Sequence, residues 1–432
     1  MRSGTASSGL RYAVRRSASP VAWCALSIHC GTRDEAGYPG GIAHFVEHTI
    51  FRGTARKSAS VISGYLDRLG GELNAYTTKE EIVLHATVLK EDLGKAARLL
   101  FELATEPTFP DDEIETERGV VLDEIISYKD NPVEDVYDKF EGMLFEGHPL
   151  GGPILGTTAS VKRITPEDLR RFVRTFFTPD RMVFTVVADI DEKVLEKRVL
   201  RLAEKLFGKE IPSPAPPVRN DNRTVIPGET TSVIPSEAKE SSCTAPAGSP
   251  FSKTVDKRHH EVNAVIGNQA PSLYEEKDRI TAAVLCNILG GPASNSLLNK
   301  ELREKNGWVY GVECSYTQYA DTGIAAISFG CDKPNLDRCL KTLDRILERL
   351  REVPLSERFL KAAKKQLLGQ LAISSASGEA QCLSMGKSLL SWGRIDTSAE
   401  TRARIEAVTP GDLQEMARRL FDPASLSRLI YL

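Results

Sequence analysis

A short pattern near residue 165 recurs near residue 409, and this repeat constrains the fold more than any other feature of the sequence. Six identities fall in register over fifteen positions at a constant offset of 244, namely Thr165/Thr409, Pro166/Pro410, Asp168/Asp412, Leu169/Leu413, Phe177/Phe421 and Pro179/Pro423. Matches in register indicate a duplication rather than coincidence. At 432 residues the chain also exceeds the size at which one hydrophobic core keeps growing. The sequence therefore predicts two similar domains.

Hydrophobic periodicity predicts strands and helices in succession within the first half. Strands are expected at residues 10–14, 21–29, 72–77, 82–88 and 182–187, and helices at residues 58–69, 92–105, 111–129, 133–145 and 192–207. The predicted class is α+β, with a mainly antiparallel sheet packed with helices in each of two duplicated domains. We place the N-terminal domain at residues 1–208, a long Pro/Ser-rich linker at residues 209–254 and the C-terminal domain at residues 255–432.

Charge and apolar patterning exclude several functional classes. The net charge of −3 gives no electrostatic case for nucleic acid or an anionic membrane surface as a partner. No 18-residue apolar run is present that would span a bilayer. The eight cysteines show no metal-binding spacing, and most lie in apolar stretches, which is typical of a reducing compartment.

The N-terminal composition leaves two locations open. Residues 1–19 contain four arginines, several serines and no acid, as in an organellar transit peptide. However, residues 10–14 already have the pattern of a first strand. We therefore expect a retained N-terminus and a cytoplasmic protein, with an organellar location as the alternative.

The segment Gly41-Ile-Ala-His-Phe-Val-Glu-His-Thr49 carries the main chemical signal. His44 and His48 are four residues apart, so both imidazoles project from one face if the segment is helical. Glu47 flanks that face. Two imidazoles and an adjacent carboxylate are what a zinc hydrolase needs as ligands and base, and the order H-x-x-E-H is the inverted zinc motif.

The predicted helix at residues 111–129 offers carboxylates for the missing third ligand position. Glu117 and Glu124 are seven residues apart and share a face, next to the apolar row formed by Ile114, Val121 and Ile125. A solvated acidic edge is the ordinary interpretation of such a pair. Because partial burial of a carboxylate is costly without a partner or a metal, the unfilled ligand position favours a metal carboxylate on this helix.

Taken together, the motifs make the chain resemble the insulinase/pitrilysin family of zinc peptidases, in particular two-domain members similar to mitochondrial processing peptidase and its bacterial relatives. The resemblance covers nearly the whole chain apart from the linker. It rests on His44-x-x-Glu47-His48, Phe51-Arg-Gly-Thr54, Leu73-Asn-Ala-Tyr-Thr77, Glu117-Arg-Gly-Val-Val-Leu-Asp-Glu124, His148-Pro-Leu-Gly-Gly-Pro-Ile-Leu-Gly156 and Leu302-Arg-Glu-Lys-Asn-Gly-Trp-Val-Tyr310.

The resemblance implies roles for the residues of the N-terminal domain, which would be the catalytic zinc-binding domain. His44, His48 and Glu124 would bind a Zn²⁺ ion. Only one such site per chain is expected, because the second-half segment around residues 280–289 lacks His and Glu. Glu47 would be the general base, and Glu117 would support the site from behind the ligands. The implied activity is a zinc-dependent endopeptidase acting on extended or unfolded peptides.

The resemblance also implies substrate contacts and a partner. The C-terminal domain would be an inactive repeat whose Arg303 and Tyr310 contact substrate near the metal. An extended peptide would add to the edge strand around Asn74, Ala75 and Tyr76. Some relatives divide the zinc motif and the Arg/Tyr pair between two subunits; this chain has both, which favours a homodimer or a self-sufficient protease. The alternative function is a non-catalytic assembly or core subunit of the same fold.

Overall fold

The computed structural model describes residues 1–208, 249–257 and 260–432. Most of the predicted linker, residues 209–248, lies outside the described residues. The remaining part includes a strand, Ser252–Val255, that belongs to the second sheet. The domain boundaries otherwise stay a prediction. None of the helices within the described residues combines the length and the apolar character that spanning a bilayer requires.

The first half forms a six-stranded sheet with helices. Its strands are β1 (Arg2–Thr5), β2 (Arg11–Arg16), β3 (Val21–Ile28), β4 (Glu72–Thr77), β5 (Ile82–Leu89) and β6 (Met182–Ala188). Its helices are α1 (Ile42–Thr49), α2 (Ala59–Ser63), α3 (Leu93–Thr105), α4 (Asp111–Asp130), α5 (Pro132–Leu144), α6 (Thr158–Val161), α7 (Pro166–Phe176) and α8 (Glu192–Phe207). The strand order is β1-β2-β6-β3-β5-β4, so β4 is an edge strand.

The second half forms a five-stranded sheet with helices. Its strands are β7 (Ser252–Val255), β8 (Glu261–Ala270), β9 (Val309–Gln318), β10 (Gly323–Asp332) and β11 (Ser427–Tyr431). Its helices are α9 (Glu276–Gly290), α10 (Leu336–Glu352), α11 (Glu357–Ser374), α12 (Gly378–Trp392), α13 (Ser398–Ala407) and α14 (Pro410–Leu420). A π-helical segment, Asn299–Glu304, precedes β9. The strand order is β7-β11-β8-β10-β9.

The two sheets repeat one topology. In the first, β2 pairs parallel with β6, and every other neighbouring pair is antiparallel. In the second, β7 pairs parallel with β11, and the remaining pairs are antiparallel. The repeated sequence pattern forms α7 and α14, each capped by a threonine, Thr165 or Thr409, in a capping box. The predicted α+β class with two duplicated, mainly antiparallel domains is confirmed.

The two halves exchange one helix each. Helix α5 of the first half packs on the second sheet, where Val136, Phe140 and Leu144 join a buried cluster with Val265 and Leu429. Helix α12 of the second half packs on the first sheet through a matching cluster, formed by Ala13, Ala25, Val83, Val183, Val187, Cys382, Met385, Leu389 and Leu390. Because each sheet buries one face under a helix from the other half, the halves are held together by apolar burial.

One predicted helix is wrong. Residues 58–69 form only the short helix α2 followed by a 3-10 turn, Asp67–Leu69. Helix α2 ends at Ser63, directly before Gly64, and glycine in a helix interior costs about 1 kcal/mol relative to alanine. The apolar stripe at residues 58–69 continues past Gly64, but the helix does not.

Candidate metal centre

Helix α1 is short and buried, and its beginning is fixed by two features. Gly41 precedes it with φ +86°, a conformation that favours glycine, and a Cβ there would lie 2.6 Å from the Leu155 carbonyl oxygen. The Glu35 carboxylate accepts hydrogen bonds from the N–H groups of Gly41 (2.8 Å) and Ala43 (3.0 Å). These hydrogen bonds satisfy two N–H groups that have no partner within the helix, so Glu35 anchors the helix that carries the histidines.

Helix α4 delivers the carboxylates from a distant part of the sequence. Its buried positions are Ile114, Glu117, Val121 and Ile125, so Glu117 lies within the apolar stripe itself. Glu124 lies beside that stripe and is partly exposed. The packing of α4 on α1 brings both glutamates to the histidine face.

Three side chains converge in the arrangement that the sequence predicts. The Glu124 Oε2 atom lies 3.6 Å from His44 Nε2 and 3.3 Å from His48 Nε2. One ligand atom from each of the three residues lies within 4.8 Å of the other two. The Glu124 Oε2 atom is buried and has no hydrogen-bond partner within the described residues. An orphaned carboxylate oxygen facing two imidazole nitrogens is costly unless a cation fills the space between them.

This donor set fits zinc. Two imidazole nitrogens and one carboxylate oxygen form a borderline set that leaves a fourth position free, as in catalytic zinc sites. His44 and His48 have ring centroids 4.6 Å apart, so their free nitrogens can share one ion. Burial, with His48 beside it, lowers the pKa of His44 to about 3, which keeps that imidazole neutral and able to bind metal.

A buried carboxylate orients the second imidazole. Glu117 Oε1 lies 2.8 Å from His48 Nδ1, so His48 donates its Nδ1 proton to Glu117 and turns Nε2 towards Glu124. Burial lowers the pKa of His48, but the hydrogen bond to Glu117 and the nearby carboxylates outweigh it and raise that pKa above its usual value. Arg52 forms an ion pair with the other oxygen of Glu117.

Glu47 lies on the open side of the histidines. Its Oε2 atom accepts a hydrogen bond of 2.9 Å from the Thr77 hydroxyl at the end of β4. Burial raises the pKa of Glu47, and the Thr77 hydrogen bond opposes this effect. A carboxylate with a raised pKa is a better general base near neutral pH.

The centre opens into a cavity of about 550 Å³ between the two halves. The first half contributes His44, Glu47, His48, Glu124, and the end of β4 with the turn that follows it, from Ala75 to Glu81. The second half contributes the end of β9 and the two residues after it, 317–320. Helix α12 of the same half contributes Lys387, Leu390 and Ser391. The cavity is large enough for several residues of an extended peptide to lie beside the metal centre.

The predicted edge strand reaches this cavity in part. Ala75 and Tyr76 line it, whereas Asn74 is exposed and is not among the lining residues. Strand β4 pairs with β5 on one side, and among the described residues no strand pairs with its other side. Such an edge has free main-chain groups for an added strand.

Arg303 and Tyr310, the substrate contacts predicted in the second half, do not lie at this cavity. Arg303 and Tyr310 line a separate cavity of about 450 Å³ that includes none of His44, Glu47, His48 and Glu124. Tyr310 is exposed, and its hydroxyl donates a hydrogen bond of 2.8 Å to Asp332.

Family models and curated proteins match most of this chain. Residues 11–158 match the family described as Insulinase (Peptidase family M16), and residues 163–367 match the Peptidase M16 inactive domain. The uncharacterized zinc protease SCO5738 of Streptomyces coelicolor is 30% identical over 90% of this chain and 80% of its own length. The uncharacterized zinc protease YmxG of Bacillus subtilis is 29% identical over 91% of this chain and 89% of its own length.

Solved structures show the same fold. A protease from Helicobacter pylori has a TM-score of 0.84 at 19% identity, over 100% of this chain and 99% of that one. A peptidase M16 inactive domain from Pseudomonas fluorescens has a TM-score of 0.83 at 18% identity, over 100% and 97%. This chain belongs to the insulinase/pitrilysin family of zinc metallopeptidases, known as peptidase family M16.

Two residues of the centre were not assigned from the sequence. Thr77 and Arg52 both lie in motifs quoted for the resemblance, but neither received a role. For Arg52 a local signal exists, because it follows His48 by four residues. For Thr77 the sequence holds no such signal, since its contact with Glu47 depends on how β4 packs against α1.

Proposed function

We propose that this protein is a zinc-dependent endopeptidase that cleaves extended or unfolded peptides, with one zinc ion per chain held by His44, His48 and Glu124. The observation that carries the proposal is the Glu124 Oε2 atom, which is buried, has no hydrogen-bond partner among the described residues and faces both histidine nitrogens, with Glu47 beside them. When bound, zinc supplies Lewis acidity, lowering the pKa of a water and polarising the scissile carbonyl.

The residues of this chain supply the proton transfers and the orientation. Glu47 takes a proton from the attacking water and returns it to the leaving amine. Thr77 holds one oxygen of Glu47, which leaves the other for this transfer. Glu117 keeps the His48 proton on Nδ1.

The substrate would lie along β4 as an added strand. Main-chain hydrogen bonds to the free edge around Asn74, Ala75 and Tyr76 give affinity that depends little on the peptide sequence. The cavity between the halves admits a chain that is extended beside β4. A folded domain does not present such a strand, so short or unfolded peptides are the expected substrates.

The test of the base is Glu47→Gln. Glutamine keeps the size of the side chain and accepts the Thr77 hydrogen bond but does not take up the proton, so cleavage of an unstructured peptide should fall by a factor of about 10²–10⁴. Zinc content and thermal unfolding should match the wild type. Cleavage at the wild-type rate would show that Glu47 is not the base. A non-catalytic core subunit would give neither zinc-dependent hydrolysis nor an effect of the substitution.

We also propose a homodimer in which Arg303 and Tyr310 of each chain contact the substrate at the centre of the other. Their position in a separate cavity of their own chain supports this over a self-sufficient monomer. Mixing the Glu47→Gln chain with an R303A/Y310F chain tests it. If the pair acts in trans, two inactive chains should regain up to about a quarter of the wild-type activity, as expected for random pairing with one complete site per mixed dimer. No recovery in a mixture shown to exchange subunits would refute the arrangement.

For location, we propose the cytoplasm. The seven cysteines in the described residues, which exclude Cys243, are all buried and free of disulfides. Buried thiols of this kind are typical of proteins kept in a reducing compartment. Fractionation of cells that produce the full chain, with an N-terminal sequence of the product, separates this location from an organellar one.

A further inference from the structure

Arg52 is the outermost of three side chains, with Glu117 and His48, that contact one another in series up to the metal centre. It closes the 3-10 turn Ile50–Arg52, which directly follows α1. Its guanidinium pairs with Oε2 of Glu117, whose Oε1 lies 2.8 Å from His48 Nδ1. His48 Nε2 in turn faces Glu124 at 3.3 Å. One carboxylate thus joins an arginine on one side to a metal-binding imidazole on the other.

The Glu117 carboxylate needs a partner of this kind. Its side chain is only 4% exposed, and it lies in the apolar stripe of α4. A buried carboxylate without a cation is destabilising, and an imidazole that binds a metal is neutral and does not offset the charge of the carboxylate. Arginine pairs with one oxygen and leaves the other in place for the imidazole.

We propose that Arg52 is a positioning residue for the metal centre. It holds Glu117 in the orientation that fixes the His48 ring, and it thereby sets the affinity of the chain for zinc. This inference rests on the zinc site of the proposed function. It assigns to Arg52 an effect on the affinity for zinc. An arginine that only stabilised the packing of α1 against α4 would not have this effect.

The experiment measures the zinc dissociation constant by competition with a chromophoric chelator, beside the thermal unfolding of the metal-free protein. Arg52→Met should weaken zinc binding by about 10- to 100-fold, as is typical when the residues behind a ligand are removed. Arg52→Lys keeps the charge without the planar fork and should recover part of the affinity. The matched control is Arg56→Met, which breaks a surface pair with Glu106 where the arginine is 67% exposed and should leave the affinity unchanged.

A double-mutant cycle tests whether Arg52 acts through Glu117. Glu117→Gln alone should weaken zinc binding. Adding Arg52→Met should weaken it little further, because Arg52 then has no carboxylate through which to act on His48. Independent losses that multiply would overturn the inference, as would wild-type affinity in Arg52→Met. If Arg52→Met does not fold, Arg52→Gln, which keeps a polar side chain but removes the charge, decides, since wild-type affinity in that variant would equally refute the role. A wild-type chain that binds no zinc would instead refute the proposed function.

Discussion

At the scale of single residues, the centre depends on side chains that do not themselves bind the metal. Glu35 fixes the start of α1, Glu117 fixes the His48 ring and Thr77 holds Glu47. The contacts of Glu117 and Thr77 join residues far apart in the sequence, whereas Glu35 acts on a helix that begins a few residues after it. Substitutions at these supporting positions should therefore change activity or stability while the three ligands stay intact.

Thr77→Val tests the support of the base. Valine is nearly the same size and suits a strand, so the fold should be kept. The loss of a hydrogen bond to a charged carboxylate is worth about 1.5–3 kcal/mol, so kcat should fall by about tenfold or more. Peptide hydrolysis and zinc content measure the two effects, and zinc content should not change. Thr77→Ser keeps the hydroxyl and should retain most of the activity. Unchanged kcat in Thr77→Val would contradict the role of this hydrogen bond.

Glu35→Gln tests the anchor of α1 through pH. Burial raises the pKa of Glu35 to about 7 although the Ala43 and Gly41 N–H groups oppose this. An acid with a raised folded-state pKa contributes stability that is fully present below its unfolded pKa of about 4.3 and is lost as the pH rises through about 7.

The wild type should therefore lose stability relative to Glu35→Gln as the pH rises from about 4.5 to about 7.5. The change in the difference should be at most about 4 kcal/mol, because one pKa unit corresponds to about 1.4 kcal/mol. Urea unfolding of both metal-free proteins across this range measures it. A constant difference between the two proteins would show that Glu35 does not titrate in the folded state.

At the scale of elements, the exchange of α5 and α12 explains how two similar halves become one molecule. Helix α12 approaches the first sheet closely, with a glycine at its first position. A Cβ on Gly378 would lie 2.2 Å from a ring atom of Trp23. The contact between helix and sheet therefore requires the absence of a side chain at this position.

Gly378→Ala should destabilise the protein by about 1–3 kcal/mol, because the added methyl group would force α12 away from Trp23. The midpoint of urea unfolding measures the effect. The matched control is Gly369→Ala in α11, where a Cβ meets nothing within 4 Å. That change should stabilise the protein by up to about 1 kcal/mol, since alanine is the better helix former. Equal effects at both positions would contradict the close approach.

At the scale of the whole molecule, a buried ion pair in the wall of the cavity connects the two halves. Lys79, whose side chain is 3% exposed, lies 3.3 Å from Glu141 of α5 and donates to the Gly152 carbonyl at 2.5 Å. The Tyr319 hydroxyl of the second half donates to the same Glu141. These contacts fix the position of β4 relative to the second half. They thereby also fix the strand edge to which a peptide would bind.

Lys79→Met should destabilise the protein by about 3–5 kcal/mol, because it leaves the Glu141 charge buried without its cation. Adding Glu141→Gln should recover much of this loss by removing that charge. Urea unfolding of the single and double variants measures both effects. Lys305→Met, which breaks an exposed pair with Glu301, should cost less than about 1 kcal/mol. A double variant no more stable than Lys79→Met would show that the buried charge is not the cause.

The sequence alone determined the features that depend on short spacings. The four-residue interval between His44 and His48 placed both rings on one helix face, and the seven-residue interval placed Glu117 and Glu124 on another. The repeat at residues 165 and 409 predicted the duplicated fold, since the same residues form the same capped helix in both halves. Such features could be predicted because the geometry of a helix fixes the direction of each side chain relative to its near neighbours.

Only the tertiary structure decided which partners these side chains meet. Glu124 faces both histidines, whereas Glu117 contacts His48 and Arg52. The two glutamates have these different partners although they share one helix face. The tertiary structure also placed Thr77 on Glu47, and Arg303 and Tyr310 in a separate cavity. These contacts join segments tens to hundreds of residues apart, and their geometry follows from how whole helices and sheets pack, which no local spacing encodes.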